Sequence, residues 1–325
     1  MSAYLRRRAA TYLLVLVAAL AINFFLPRAM PGDPLQEMSS STGNLAVALD
    51  EDTILALQRY YGLDRPLSEQ FVNYLTALGH VDLGFSISYR APVSQVVARA
   101  LPWTLLITFS ALLLTFALAI LTATSFALGN RNGETALLVP AILLDSMPPF
   151  ITGSFLLIIF GVKLGWLPIS GAFSNFTGPS AGHKLLDIAA HALLPVLSLS
   201  CAGFFSAYLL VRNSLTMVKN QPFVHMAYLK GLSEKRIRYH YVLRTALLPV
   251  VTFFGLRLAR LIGGAMLVEV LFAYPGLGRL TYEAVLACDY PLLQGVFFIF
   301  TIWVLLVNLC TDLLYLRLDP RVKEV

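Results

Sequence analysis

Six apolar runs of about the length that crosses a lipid bilayer punctuate this chain: Ala9–Leu26, Leu101–Leu128, Ala136–Val162, Ile188–Val211, Leu247–Phe272 and Leu292–Leu316. A spanning helix needs about 20 mostly apolar residues, and Leu101–Leu128 holds no charged residue at all. No stretch alternates polar and apolar residues in the ten-residue segments of a β-barrel. In hydrocarbon, therefore, only helices satisfy these backbones. The expectation is an all-α polytopic membrane protein with six transmembrane helices. Composition agrees, because 58% hydrophobic and 13% charged residues leave too few solubilising groups to coat a 325-residue globule.

The first run follows Arg6, Arg7 and Arg8 and contains Ala19 and Ala21, a likeness to a cleavable signal peptide. Its length exceeds the roughly 7 to 15 residues of a signal-peptide core, so a retained first helix is expected. Cys201, Cys288 and Cys310 are odd in number and widely spaced, which suits neither a disulfide framework nor a metal cluster.

The net charge of +6 is explained by topology. With the N-terminus inside, the cytoplasmic pieces hold fourteen basic residues, among them Arg6–Arg8, Arg131, Arg212, Lys219, Lys230, Lys235, Arg236, Arg238 and Arg244, against four acidic ones. The opposite side holds eight basic and eleven acidic residues. The positive-inside rule then places both termini in the cytoplasm. No basic face with interleaved aromatics remains, which argues against nucleic acid as a partner.

Two connections exceed simple turns. The outer one, 28–100, carries Pro31-Gly32-Asp33-Pro34 and helical patterns at Ile54–Tyr61 and Leu67–Leu78, and is expected to form an extracytoplasmic helical cap. The inner one, 213–245, restarts at Gln221-Pro222, where proline suits a helix start. Phe223, Met226, Ala227 and Leu229–Leu232 then fall near one face of a short helix, with Gly231 as its stop and Lys230 beside it. Two readings of this amphipathic helix stand side by side: it lies on the anionic inner leaflet, or it docks in a groove on a soluble partner.

His225-Met226-Ala227-Tyr228-Leu229-Lys230-Gly231-Leu232-Ser233, followed by Leu243-Arg244-Thr245-Ala246-Leu247-Leu248-Pro249, resembles the cytoplasmic loop of ABC importer permeases, in particular the dipeptide, oligopeptide and nickel branch. That loop pattern begins Glu-Ala-Ala, with a glycine four residues after the second alanine. Here only Ala227 and Gly231 match that core, and His225 and Met226 replace its first two positions. Pro31–Pro34, Tyr61-Gly62-Leu63-Asp64-Arg65-Pro66, Asp82-Leu83-Gly84-Phe85-Ser86, Gly165-Trp166-Leu167-Pro168, Tyr274-Pro275-Gly276-Leu277-Gly278 and Leu318-Asp319-Pro320-Arg321 are similar to signatures of the first of that branch's two permease subunits.

The resemblance implies a type I ABC importer permease fold in the inner (cytoplasmic) membrane. Residues 1–27 would form the cytoplasmic N-terminus and first helix, 28–100 the cap, 101–316 the five-helix core with its coupling loop 213–245, and 317–325 the cytoplasmic tail. It also implies partners: a second homologous permease, two cytoplasmic ATPases, an extracytoplasmic solute-binding protein and membrane lipid. Phe223, His225, Met226, Ala227, Tyr228, Leu229, Lys230, Gly231 and Leu232 would couple to the ATPase. The chain has no G-x-x-x-x-G-K-[ST] loop, so ATP and Mg are expected on the partner subunits and no cofactor on this one.

A charge at mid-bilayer costs about 2.5–3.5 kcal/mol and needs a partner or a wet path. Asp145 lies about nine residues, ~14 Å, into its run and Arg257 about ten, ~15 Å, into its own. Two arrangements follow: Asp145 contacts Arg257 or Arg260, or all three face a water-filled vestibule. Glu269 and Asp312 fall near run ends, where a structural role is expected. An intramembrane enzyme is disfavoured, since His183 and His191 lack metal-ligand spacing, no HExxH occurs, and Gly178–Gly182 is not a nucleophile elbow. A secondary transporter or channel uncoupled from ATP is the alternative function, and it would show internal repeats or interrupted helices in matching positions.

Overall fold

The computed structural model of the protein describes residues 2–29, 64–128, 133–174, 181–261 and 263–318. The motifs at Pro31–Pro34, Tyr61–Leu63 and Asp319–Arg321, the pattern at Ile54–Tyr61, Arg131 and Gly178–Ser180 lie outside the described residues. Among the described residues, five helices are long and apolar enough to cross a membrane: Ala10–Arg28, Val93–Leu128, Gly182–Lys219, Glu234–Ala259 and Tyr290–Leu313. A sixth crossing exists if the bent pair Glu134–Asp145 and Pro149–Lys163 counts as one span.

Two of the expected spans differ from the structure. Ala136–Val162, expected as one span, is split into α4 (Glu134–Asp145) and α5 (Pro149–Leu156, continued by a π-helical turn Leu157–Lys163), bent by 110°. Met147 and Pro148 each precede a proline, which disfavours the helical region for two residues in succession, whereas Pro149 fits the first position of the new helix. Leu247–Phe272, expected as another span, stops at Ala259, and a short helix α10 (Met266–Leu271) follows. Gly263-Gly264 sits in the break, where the lack of side chains makes helix unfavourable. The crossing helix instead begins upstream: α8 (Glu234–Arg236) runs through a π-helical stretch, Ile237–Leu243, into α9 (Arg244–Ala259). Arg236, Arg238 and Arg244 do not interrupt it, because arginine stems lie along apolar surface while their heads reach water.

The chain divides into two compact units. The first comprises Met1–Pro102 and Gly276–Leu305. It contains α1 (Ser2–Arg28), α2 (Leu67–Gly79), a hairpin of β1 (Phe85–Ser86) and β2 (Ala91–Pro92), the start of α3 (Val93–Leu128), α11 (Leu277–Leu286) and the first part of α12 (Tyr290–Leu318). Arg28 ties α1 to α2: its guanidinium lies 3.7 Å over the Phe24 ring and donates to Gln70 Oε1 at 2.9 and 3.1 Å. Phe24 is fully buried against the rings of Phe71 and Tyr74. Burial pushes the Tyr74 phenol up to about 12 despite the opposing Arg28 charge, so it stays neutral. Asp289 joins the hairpin to α12, accepting from Ser86 Oγ at 2.6 Å and from Ser88 N at 2.9 Å while capping Leu292 N at 3.1 Å. Gly295 lets α12 approach β2 and α3, since a Cβ there would lie 2.3 Å from Val93 Cγ1.

The second unit comprises Trp103–Pro275 and Leu306–Val325. Its axis is α6 (Ala181–Lys219), against which α4, α5 and α9 pack. Close approach again rests on small residues. A Cβ at Gly153 would meet Ser198 Oγ at 2.8 Å and Leu271 at 3.0 Å. Glu269, fully buried on α10, accepts from Thr104 Oγ1 at 2.7 Å, which gives it a structural role. A Cβ at Gly255 on α9 would come within 2.7 Å of Thr311 Oγ1 and 2.9 Å of its Cγ2. Gly255→Ala is therefore expected to destabilise the protein by about 1–3 kcal/mol, seen as a lower unfolding temperature in detergent. Adding Thr311→Ala should restore most of the loss, because the remaining Cβ contact, 3.4 Å, is bearable.

Candidate functional site

The short helix of the 213–245 connection is α7 (Pro222–Leu229). Gln221 is extended and Pro222 opens the helix, as its fixed φ and missing N–H allow. Eight residues are too few to hold helix in isolation, so tertiary packing must hold α7. Val224 (0% exposed) and Ala227 (2%) sink into one buried cluster with Phe116, Ala119 and Ala123 of α3, Tyr208, Val211 and Leu215 of α6, and Ile237, Val242 and Ala246 of the α8–α9 helix. At the far end Gly231 takes φ +70, its N–H reaches Tyr228 O at 2.9 Å, and Leu232 N reaches Ala227 O at 3.3 Å. This is a Schellman stop, in which only glycine adopts the left-handed position without strain. Leu232 packs against the same cluster.

The opposite face is bare. Phe223, Met226, Tyr228 and Leu229 are 41, 53, 47 and 82% exposed, and His225 and Lys230 are exposed beside them. The structure thus divides the residues expected to dock. Phe223, His225, Met226, Tyr228, Leu229 and Lys230 face outward, whereas Ala227 and Leu232 face their own chain and Gly231 shapes the turn. Helical periodicity alone grouped Ala227 with Met226, and only the direction of the supporting core separates them.

A second feature beneath α7 escaped the sequence reading. Glu134, 7% exposed at the start of α4, accepts from Tyr208 Oη at 2.7 Å and from Arg212 Nε at 2.5 Å. Tyr208 belongs to the cluster that seats α7. The partners are 74 and 78 residues apart in sequence, so no spacing rule joins them. The available signals were Arg212 at the edge of an apolar run and a carboxylate just after Gly133, where the helix dipole favours negative charge.

Of the two arrangements expected for the charges within the apolar runs, the direct pair is not seen among the described residues. Asp145 Oδ2 accepts from Ser206 Oγ at 3.0 Å, and among the described residues no ion pair joins Asp145 to Arg257 or Arg260. Asp145 meets α6 at Ser206, and Arg257 Nη1 approaches the same helix one turn away, at Gly203. Arg257 and Arg260 instead line one cavity of about 250 Å³, with Thr108, Thr115, Leu199 and Gly203 also in its wall. Arg257 lies 5.1 Å from the centre of the Phe253 ring.

Comparison with known proteins gives a consistent result. Residues 115–324 match the family described as binding-protein-dependent transport system inner membrane component, and residues 1–108 match its N-terminal membrane component. The chain is 31% identical to the oligopeptide transport system permease protein AppB of Bacillus subtilis (strain 168), over 99% of this chain and 100% of the relative. It is 33% identical to the glutathione transport system permease protein GsiC of Salmonella choleraesuis (strain SC-B67), over 95% and 94%. It is 29% identical to the di/tripeptide transport system permease protein DppB of Pseudomonas aeruginosa (strain UCBPP-PA14), over 100% and 99%.

The two faces of α7 separate in a stability measurement. Ala227→Glu buries a charge in the cluster and is expected to cost at least 3 kcal/mol, roughly the penalty of an unpaired buried charge. Met226→Glu places the same charge on the bare face and should stay within about 0.5 kcal/mol. Thermal unfolding of both variants in detergent checks the difference.

Proposed function

This chain belongs to the family of binding-protein-dependent transport system inner membrane components, and from that premise we propose that it forms half of the passage of an ATP-driven peptide importer. It is a permease subunit, multi-pass in the cell membrane, and the family is a transport component rather than an enzyme. The peptide class is supported by the three relatives, whose names specify oligopeptide, glutathione and di/tripeptide transport.

The observation that carries the coupling mechanism is the bare apolar face of α7 above a buried, clamped one. Four large apolar side chains on an eight-residue helix exceed what a water-facing helix of this length needs, and an amphipathic helix in a groove is a recurrent docking mode. In this reading both termini and residues 213–245 face the cytoplasm. Phe223, Met226, Tyr228 and Leu229 enter a groove on one of two ATPase subunits, which bind ATP and Mg. Val224 and Ala227 root α7 in α3, α6 and α8–α9, so movement of the ATPase reaches the helices through packed side chains, which shift as blocks rather than deform. A second homologous permease completes the passage. The segment 28–100 faces the other side, where a solute-binding protein delivers the peptide.

The test is ATP-driven peptide uptake by the reconstituted importer carrying Phe223→Ala with Met226→Glu. Loss of two apolar anchors is expected to reduce uptake at least ten-fold, an anchor typically contributing about 2 kcal/mol or more, while the unfolding temperature of the permease stays unchanged. Cysteines placed at Met226 and Tyr228 should crosslink to the ATPase. Wild-type uptake by the double variant, or crosslinks that reach only lipid, would refute the docking; uptake that persists without any ATPase would point to a secondary transporter.

A further inference from the structure

We propose that the cavity at Arg257 and Arg260 is a carboxylate subsite of the passage, which receives the C-terminal carboxylate of the peptide. The assignment rests on the peptide-importer reading above and adds to it a chemical preference located in the permease itself.

Arg257 stands in the last turn of α9 and Arg260 is its C-cap residue, three positions on, and both line the same cavity of about 250 Å³. Among the described residues neither guanidinium has a hydrogen-bonding or ion-pairing protein partner. Among the described residues the cavity wall contains no carboxylate, and much of it is apolar, with Ala111, Leu112, Phe116 and Leu199 lining it beside the two cations. Its hydroxyls are already committed: Thr108 Oγ1 donates to Thr104 O at 2.5 Å, and Thr115 Oγ1 donates to Ser200 O at 3.3 Å. Asp145, the carboxylate expected to neutralise the pair, accepts from Ser206 through Oδ2. The arginines are therefore the free donors of this wall.

Two cations in an apolar surround are costly unless they face an anion or water, and the planar guanidinium fork matches a carboxylate with two parallel hydrogen bonds. The cavity is smaller than the roughly 300–1,000 Å³ of a typical ligand pocket, so it holds one end of a peptide rather than the whole. Its charge selects which end. The terminal carboxylate is attracted and the terminal ammonium repelled, so the peptide is oriented in the passage. Gly203 keeps α6 narrow at this point, its missing Cβ lying 3.6 Å from Arg257 Nη1.

The experiment measures ATP-driven uptake of one peptide as its free acid and as its C-terminal amide, in the complete reconstituted importer with its binding protein at saturation. The binding protein is the same in every arm, so its own selectivity cancels between wild type and variant. Wild type is expected to favour the acid about ten-fold, the effect of one charge-assisted hydrogen bond or more. Arg257→Gln with Arg260→Gln should reduce the preference to near unity, and Arg257→Lys with Arg260→Lys should retain most of it. Should the glutamine pair fail to assemble, Arg260→Gln alone, at an exposed side chain, carries the same test. An unchanged acid-to-amide ratio in a working glutamine variant, or no preference in wild type, overturns the subsite and leaves the importer reading intact. No ATP-driven uptake of either peptide by wild type sinks that reading and the subsite with it.

Discussion

The seating of Val224 and Ala227 in the cluster beneath α7 is the contact on which the functional reading depends. An eight-residue helix in water has little reason to persist, and a surface helix that merely frayed could transmit nothing. Here two small apolar side chains, a proline start and a glycine stop fix α7 to three long helices at once. The bare residues Phe223, Met226, Tyr228 and Leu229 are presented by a rigid base, so a push on them is a push on the bundle.

Beneath that base, Glu134, Tyr208 and Arg212 form a buried polar contact between α4 and α6. A buried pair adds less to stability than its short distance suggests, because desolvation offsets attraction, but breaking one partner is expensive. The contact thus specifies how α4 meets α6 more than it strengthens the fold. The bend of 110° after α4 extends the same logic, since α5 then packs on α6 at a position that Gly153 leaves open.

The placement of the two arginines follows from where α9 ends. By stopping at Ala259, before Gly263-Gly264, the helix brings Arg257 and Arg260 to its C-terminal turn, where the helix dipole favours cations. The observed ending gives them a cavity and leaves Asp145 to Ser206.

Hydrophobic run length already determined that this is a helical membrane protein, and the clustering of Lys and Arg marked one basic, helix-bearing connection, because runs without β alternation satisfy their backbones in hydrocarbon only as helices. Motifs spread from Pro31–Pro34 to Leu318–Arg321, with the loop at Ala227 and Gly231 among them, carried the resemblance to the family, and Gly231 showed its stop because a left-handed residue after a helix has a sequence signature. What the linear pattern left undetermined was which side of α7 faces the core, where the span from Leu247 breaks, and which groups meet Glu134, Asp145 and the two arginines; the break at Met147-Pro148-Pro149, by contrast, is legible in its consecutive prolines. Those outcomes depend on contacts between residues tens of positions apart, and periodicity specifies a face of a helix without saying what that face will meet. Only the packed arrangement of α3, α6 and α9 decides that Ala227 is an anchor while its neighbour Met226 is free to bind.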